Sequence, residues 1–459
     1  MSDPRFESLV EQVRSGAIDR RTFMVRSAAI GVSAFAAGAV LAGTAGAQDA
    51  TPGASPAAGG AIGPDTLGVP GVVHSTDTSK GNINIYSSWP MTGSSEQIGS
   101  DGAAAVNYAL ELWGGAAGGY TISYTALDDG ISTNNGAWDA TVEANNATQV
   151  ADDPEAMAYI ATFNTGAAEA SIPIMNQAGI AMISPANTGT RLTKENEFNP
   201  EGYPDVLYPT GKRNYMRVVP ADDIQGPACA NWAYNTFGAE TVYILHDNQA
   251  YGQGLATIFQ ATFEKLGGEV LGFEAFDAQS DDFQSLANKI ANEAPALIFI
   301  SAIVNLNASK LVQDLRDLMS VDDVAILGPD GLVNQDFVDG AGGAAEGMYI
   351  TFGGLPGAAL EGLGAQWREG FSPKIGGREP DAYSIYSFEA AVVVLQAIDK
   401  VGEADRAKIL DAMFNTEGFR GLVGEWSFTD TGDTTADTIS LNIVKDSVIT
   451  FQEIIGVPE

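Results

Sequence analysis

From Ile83 onward, short apolar runs alternate with longer stretches in which apolar residues recur every three or four positions, the two signatures of strand and helix. The spacing predicts a strand over 83–86 and a helix over 101–113 that stops at Gly114 and Gly115. Strands over 120–126, 156–161 and 180–183 then alternate with helices over 138–150 and 167–177. The segment 195–211 breaks the rhythm with Pro200, Pro204 and Pro209. A second series follows, with strands over 241–245, 270–276, 297–302, 325–327 and 348–352 and helices over 255–266, 283–292 and 308–319. Helices over 383–401 and 406–414 and a strand hairpin, 438–444 with 448–454, complete the chain.

Strand–helix alternation is the pattern of a parallel sheet covered on both faces. Two series in succession predict an α/β fold of two doubly wound parallel-sheet lobes. Ligands of such sheets lie outside the carboxyl ends of the strands. A cleft between two lobes is the default place for a small-molecule site.

The 459 residues suffice for two or three domains, and 45% hydrophobic against 18% charged residues is the balance of a globular chain. The charge is one-sided: 58 acids against 23 bases give −35, which repels phosphate backbones and argues against nucleic acid as a partner. With one cysteine, Cys229, and two histidines, His74 and His246, neither an internal disulfide nor a His/Cys metal site is expected.

The first 47 residues read as an address. Arg20 and Arg21, then Phe23 and Met24, precede a mild Ala/Gly/Val run over 28–42 that ends in Ala45-Gly46-Ala47, a small-x-small cleavage pattern. This resembles a twin-arginine export signal, read by the twin-arginine export machinery. No cysteine follows the run, so a lipid anchor there is not expected. Residues 48–80, rich in Ala, Gly, Pro, Ser and Thr, read as a flexible linker.

Four motifs stand in order on this pattern: Leu127-Asp128-Asp129, Ile183-Ser184-Pro185-Ala186-Asn187-Thr188, His246-Asp247-Asn248-Gln249-Ala250-Tyr251-Gly252-Gln253-Gly254 and Gly328-Pro329-Asp330-Gly331. With them, the chain from Asn82 to Val444 resembles the type I periplasmic binding proteins, in particular the leucine/isoleucine/valine-binding family that serves ABC transporters. The resemblance implies a three-segment hinge, with crossings near Val218, Gly353 and Trp426. One lobe would hold 81–217 and 354–426, the other 218–353 and 427–459. It further implies capture of a small amino-acid-like ligand by hinge closure, delivery to an ABC permease, an exported monomer, no cofactor and no catalysis.

The loops carry chemistry of their own. Phe163-Asn164-Thr165-Gly166 follows a strand and opens a helix, where free N–H groups beside a hydroxyl suit a carboxylate; Thr165 could equally be a helix cap. The resemblance assigns the ligand's carboxylate to Thr165, Ala186 and Thr188, with Asn164 and Ser184 in the same loops. It places Tyr251 in the wall of the second lobe and Asp330 against the ligand's ammonium group. Asp330 read alone is also a Pro-Asp-Gly turn residue. Trp89 and Tyr383 are the candidates for contacting the ligand's side chain, and core packing is the alternative for both. Two features depart from the family: Ile303-Val304-Asn305 stands where a glycine-and-tyrosine segment is common, and 195–211 is an insertion at a candidate cleft rim. Urea, a short amide or an aromatic acid therefore remain open as ligands, as does a ligand-sensing receptor role. The acid pairs Asp128-Asp129, Asp281-Asp282 and Asp322-Asp323 fall at element ends, where capping explains them as well as a metal would. Tyr251-Gly252-Gln253-Gly254 lacks the second half of a dinucleotide fingerprint, and no phosphate-loop, hydrolase or zincin motif occurs.

Overall fold

The computed structural model describes residues 61–134, 136–304 and 307–458, together with Gln12. The export-signal pattern and the linker before residue 61 otherwise lie outside the described residues. The described residues form two compact bodies, one built from residues 61–221 and Pro356–Asp437, the other from Asp222–Leu355 and residues 438–458. Among the described residues no helix is long and apolar enough to cross a membrane.

The first body is organised on a six-stranded sheet. Its strands are β1 (Asn82–Trp89), β2 (Ala116–Ala117), β3 (Tyr120–Asp128), β4 (Ala156–Ala161), β5 (Ala181–Ser184) and β6 (Tyr215–Arg217), in the order β2-β3-β1-β4-β5-β6. All neighbours run parallel except β2, which pairs antiparallel with β3. β4 and β5 are buried at every position, as strands covered on both faces must be. The covering helices include Ala140–Asp152, whose first turn is capped by Asp139 accepting from the N–H groups of Thr141 and Val142. The helix Ser384–Val401 returns late in the chain and buries fifteen of its eighteen residues, Ser384 to Ile398.

The second body has a seven-stranded sheet. β7 (Thr241–His246), β8 (Glu269–Ala275), β9 (Leu297–Ser301), β10 (Ala325–Gly328) and β11 (Tyr349–Gly353) precede the chain's return to the first body, where β12 (Phe419–Arg420) and β13 (Glu425–Trp426) form a small ribbon. β14 (Ile439–Lys445) and β15 (Val448–Ile455) then complete the order β15-β14-β11-β10-β9-β7-β8. β14 joins β11 antiparallel, so the sheet is mixed.

Three elements have weak sequence signals. The helix Asp222–Asn231 contains Pro227 and little apolar periodicity, β6 is three residues long and ends in an arginine, and the helix Gly362–Phe371 opens on Gly-Leu-Gly. The insertion 195–211 packs against the helix Thr165–Ala178: Tyr203 donates to Glu169 at 3.2 Å, and Asn176 Oδ1 accepts from the N–H and hydroxyl of Thr210 at 2.9 and 2.8 Å.

Two boundaries differ from expectation. The third crossing follows Asp437 rather than Trp426. Trp426 stacks on Phe419 with centroids 4.4 Å apart, and Asp433 pairs with Arg217, so this stretch still belongs to the first body. Residues 61–80, which composition assigns to a flexible linker, instead lie along the first body. Leu67 is 4% exposed, Gly68 bridges to Arg420, and Gln396 donates to Leu67 O while accepting from Val69 N. Asp399 accepts from Ser75 N and meets His74 Nδ1 at 2.9 Å, and Lys80 donates to the carbonyls of Gly118 and Gly402. Composition measures what a segment can bury; this strap is held mainly by hydrogen bonds to two polar side chains of one helix.

Candidate functional site

In the first body the connection β1 to β3 runs to one side of β1 and the return to β4 runs to the other. The strand order therefore reverses between β1 and β4, and the crevice beyond their carboxyl ends is where such sheets bind ligands. Trp89 is the last residue of β1, Phe163–Thr165 follow β4, and Ser184 ends β5 at the start of the loop through Thr188. A Cβ on Gly102 would lie 3.0 Å from the Trp89 ring and 3.2 Å from Ser387 Oγ, so Trp89 needs that glycine beside it. Ser387 Oγ in turn donates to the carbonyl of Tyr383 at 3.2 Å. Tyr383 meets Phe163 edge-on, with ring centroids 5.2 Å apart. Asn187 Nδ2 donates to Phe163 O at 2.9 Å, and Thr165 Oγ1 accepts from Gly189 N at 3.3 Å. Trp89, Asn164, Thr165, Ser184, Ala186, Thr188 and Tyr383 thus lie on one contiguous set of loops.

Their polar atoms divide into two groups. Ser184 Oγ donates to Thr162 O at 2.8 Å and accepts from Ala186 N and Asn187 N, so Ser184 and the Ala186 N–H shape the loop. Thr165 binds the same loop rather than capping its helix. By contrast Trp89 Nε1, Asn164 Oδ1 and Thr188 Oγ1 are buried with no protein partner, in residues no more than 7% exposed. Buried polar atoms are nearly always hydrogen-bonded, so three such atoms on three adjoining loops at the strand ends make this crevice the candidate site.

The second body repeats the reversal between β7 and β9, with β10 next to them. Tyr251, in the first turn of the helix Ala250–Lys265, donates its phenolic O–H to Asp330 Oδ1 at 2.6 Å and accepts from Gly331 N at 3.2 Å. Both side chains are buried, at 7% and 3% exposure. Asp247 accepts from Gln249 N at 2.9 Å and Ile303 N at 3.3 Å; burial outweighs these bonds and pushes its carboxyl up to about 7. A Cβ on Gly252 would fall 2.1 Å from Asp247 Oδ1 and 2.6 Å from Ser301 O. That glycine serves close packing of helix on sheet, which removes the reason to read a dinucleotide loop here. Asn305 lies outside the described residues.

Of the acid pair Asp128-Asp129, Asp128 has a structural role, while both carboxyl oxygens of Asp129 are buried without a protein partner and burial pushes its carboxyl well up. Asp128 accepts from Met91 N, Gly130 N and the Thr92 hydroxyl, fixing the loop after Trp89. Behind it Glu143 accepts from Ser88 and Tyr159, and burial pushes its carboxyl up to about 7. Four residues of this region were given no role from the sequence: Phe163 and Asn187, which stood inside quoted motifs, and Arg217 and Asp433, which meet only through the fold.

Two sheets of reversed strand order with polar loops at their strand ends place both bodies in the doubly wound α/β class, which binds ligands at such points. A family model described as periplasmic binding protein matches residues 83–445, and the chain belongs to that family, in its leucine/isoleucine/valine-binding type. An amino acid binding protein of Pseudomonas aeruginosa is 25% identical over 346 residues, covering 74% of this chain and 85% of that one. A leucine-binding protein of Thermotoga maritima has a solved structure similar to this one, with a TM-score of 0.71, 26% identity and coverage of 82% and 99%. A solute-binding protein of Rhodopseudomonas palustris, solved with p-hydroxybenzoic acid, shares the fold with a TM-score of 0.70, 17% identity and coverage of 82% and 98%.

Proposed function

We propose that this chain is the extracytoplasmic substrate-binding component of an ABC importer and that it captures a small amino acid, branched-chain or similarly apolar. The observation that carries the reading is the trio of buried, partnerless atoms in the first body. Thr188 Oγ1 and Trp89 Nε1–H can donate to a carboxylate, and Asn164 Oδ1 can accept from an ammonium group. Phe163, Trp89 and Tyr383 add ring surface for an apolar side chain. Tyr251 and Asp330 then join from the second body when the hinge closes, and a ligand favours the closed form through those additional contacts. Export through the twin-arginine route would place the protein outside the cytoplasm, where a permease receives the ligand. A monomer suffices for that task.

The test is a thermal-shift screen of the twenty amino acids, urea, short amides and benzoates, followed by calorimetry on each hit. A ligand that binds only the folded chain raises its melting temperature. A shift with leucine, isoleucine or valine supports the reading; shifts confined to amides or benzoates overturn the ligand assignment. The aromatic-acid reading is favoured by one feature, the edge-on Phe163–Tyr383 ring pair beside Asn164. An Asp330→Asn variant separates the two, since a benzoate has no ammonium group to lose.

A further inference from the structure

We propose that Arg217 is a positioning residue that ties the ligand loop to two of the three points where the chain passes between its bodies. The inference rests on the reading of Thr188 as a ligand contact. Arg217 ends β6, and the chain crosses into the second body soon afterwards, after Ala221. Its fully buried guanidinium reaches three ways. Nη1 donates to Asn187 O at 2.9 Å, the carbonyl between Ala186 and Thr188. Nη2 donates to Thr193 Oγ1 at 2.6 Å, farther along the same loop. Nε lies 2.8 Å from Asp433 Oδ1, on the segment that leads to the last crossing, after Asp437.

Other bonds brace the junction. Asp433 accepts from the hydroxyls of Thr193 and Thr431, at 2.9 and 2.7 Å. Arg217 N donates to Gly432 O, and Val218 N donates to Ser184 O at the root of the ligand loop. Burial pushes the Asp433 carboxyl up, but Arg217, Lys194 and the two hydroxyls outweigh it and hold it below its ordinary value, so the pair stays ionised. A planar guanidinium with fixed donors suits this task, because it holds one carbonyl, one hydroxyl and one carboxylate from three segments on a rigid fork where a lysine would offer a single swivelling point. Apolar residues of similar volume generally match the stability of a buried ion pair. Its contribution here is therefore position: a shift of Asn187 is passed to β6 and to the 433–437 segment together.

The experiment uses the full chain. Arg217→Met combined with Asp433→Leu removes both charges at once, so neither is left alone in the core. Amide hydrogen exchange is measured first without ligand. The double variant is expected to exchange about tenfold faster at both 188–194 and 434–438, with the helix Ser384–Val401 unchanged. Calorimetry with L-leucine is expected to give about tenfold weaker binding, a loss that a purely structural pair would not produce in a variant melting close to the parent. Parent-like exchange in either segment overturns the tie, as does parent-like leucine affinity. If the double variant fails to fold, Thr193→Val, which keeps the ion pair and removes one arm's acceptor, is judged by exchange at 188–194 in the same way. If the parent itself binds no L-leucine, the proposed ligand class fails, while the exchange measurement still decides the tie.

Discussion

Tyr251 and Asp330 are 79 positions apart in the chain, yet the phenol of one is hydrogen-bonded to the carboxylate of the other at 2.6 Å. They form a unit, with Gly331 N closing the turn onto the same phenol oxygen. Tyr251→Phe removes that donor while keeping the ring, and the loss of a hydrogen bond to a charged group is worth about 1.5–3 kcal/mol. The melting temperature should fall and amino-acid affinity should drop in calorimetry, because Asp330 loses its fixed position. Unchanged affinity would separate Asp330 from the ligand.

Thr188→Val keeps the shape of the side chain and deletes the partnerless hydroxyl. Removing a buried unsatisfied group does not destabilise the free protein, so its melting temperature should hold or rise. Binding should weaken by about tenfold or more, the worth of one hydrogen bond to a carboxylate. A variant that binds like the parent would take Thr188 out of the site.

Gly331 is fixed by space. A Cβ there would lie 2.5 Å from Ala302 O and 3.1 Å from the Tyr251 ring. Gly331→Ala should push the Asp330 turn away from β9 at a cost of about 1–3 kcal/mol, as overpacking generally does. Chemical denaturation would show the loss, and the Tyr251–Asp330 bond should lengthen in a crystal of the variant.

Burial raises the carboxyls of Glu143, Asp247 and Glu389 each to about 7. An acid whose folded-state pKa is raised binds its proton more tightly in the native state than in the unfolded chain. The stability it contributes is therefore fully present below the unfolded value and is lost as pH rises through about 7. Asp433, held low, acts oppositely and matters only in more acid solution. The melting temperature should decline from about pH 5 to about pH 8, and Glu389→Gln should flatten part of that decline.

Asp399 holds the strap through His74 and Ser75 and also accepts from Gly118 N at 2.7 Å. Asp399→Ala leaves those donors without their acceptor, at about 1–3 kcal/mol for each buried one. Limited proteolysis should then cut between 61 and 80 faster than in the parent, with the sheet of the first body intact.

The alternation of β and α was legible because strands such as β4 and the first four residues of β9 are unbroken apolar runs and their helices keep a clear period. Thr165, Thr188, Tyr251 and Asp330 were singled out because each stands after a strand, where these sheets place their chemistry, and their role in binding is the proposal that the variants above test. Arg217 was not: a charged residue ending a three-residue strand looks like a surface position until Asp433 arrives beside it. Asp433 itself, in Thr431-Gly432-Asp433-Thr434, reads as a polar turn. The strap was misjudged for a related reason, since its partners Gln396 and Asp399 lie on a helix that forms hundreds of residues later.

The interleaving of the two bodies also bears on how the protein is made. As the chain leaves the ribosome, β11 is synthesised well before β14, and the residues between them belong to the other body. Until that last hairpin emerges, β11 presents a bare strand edge to whatever is nearby, the situation in which nascent proteins mispair. A holding chaperone that shields one edge during those final seconds of translation would serve this chain better than one that encloses a finished domain.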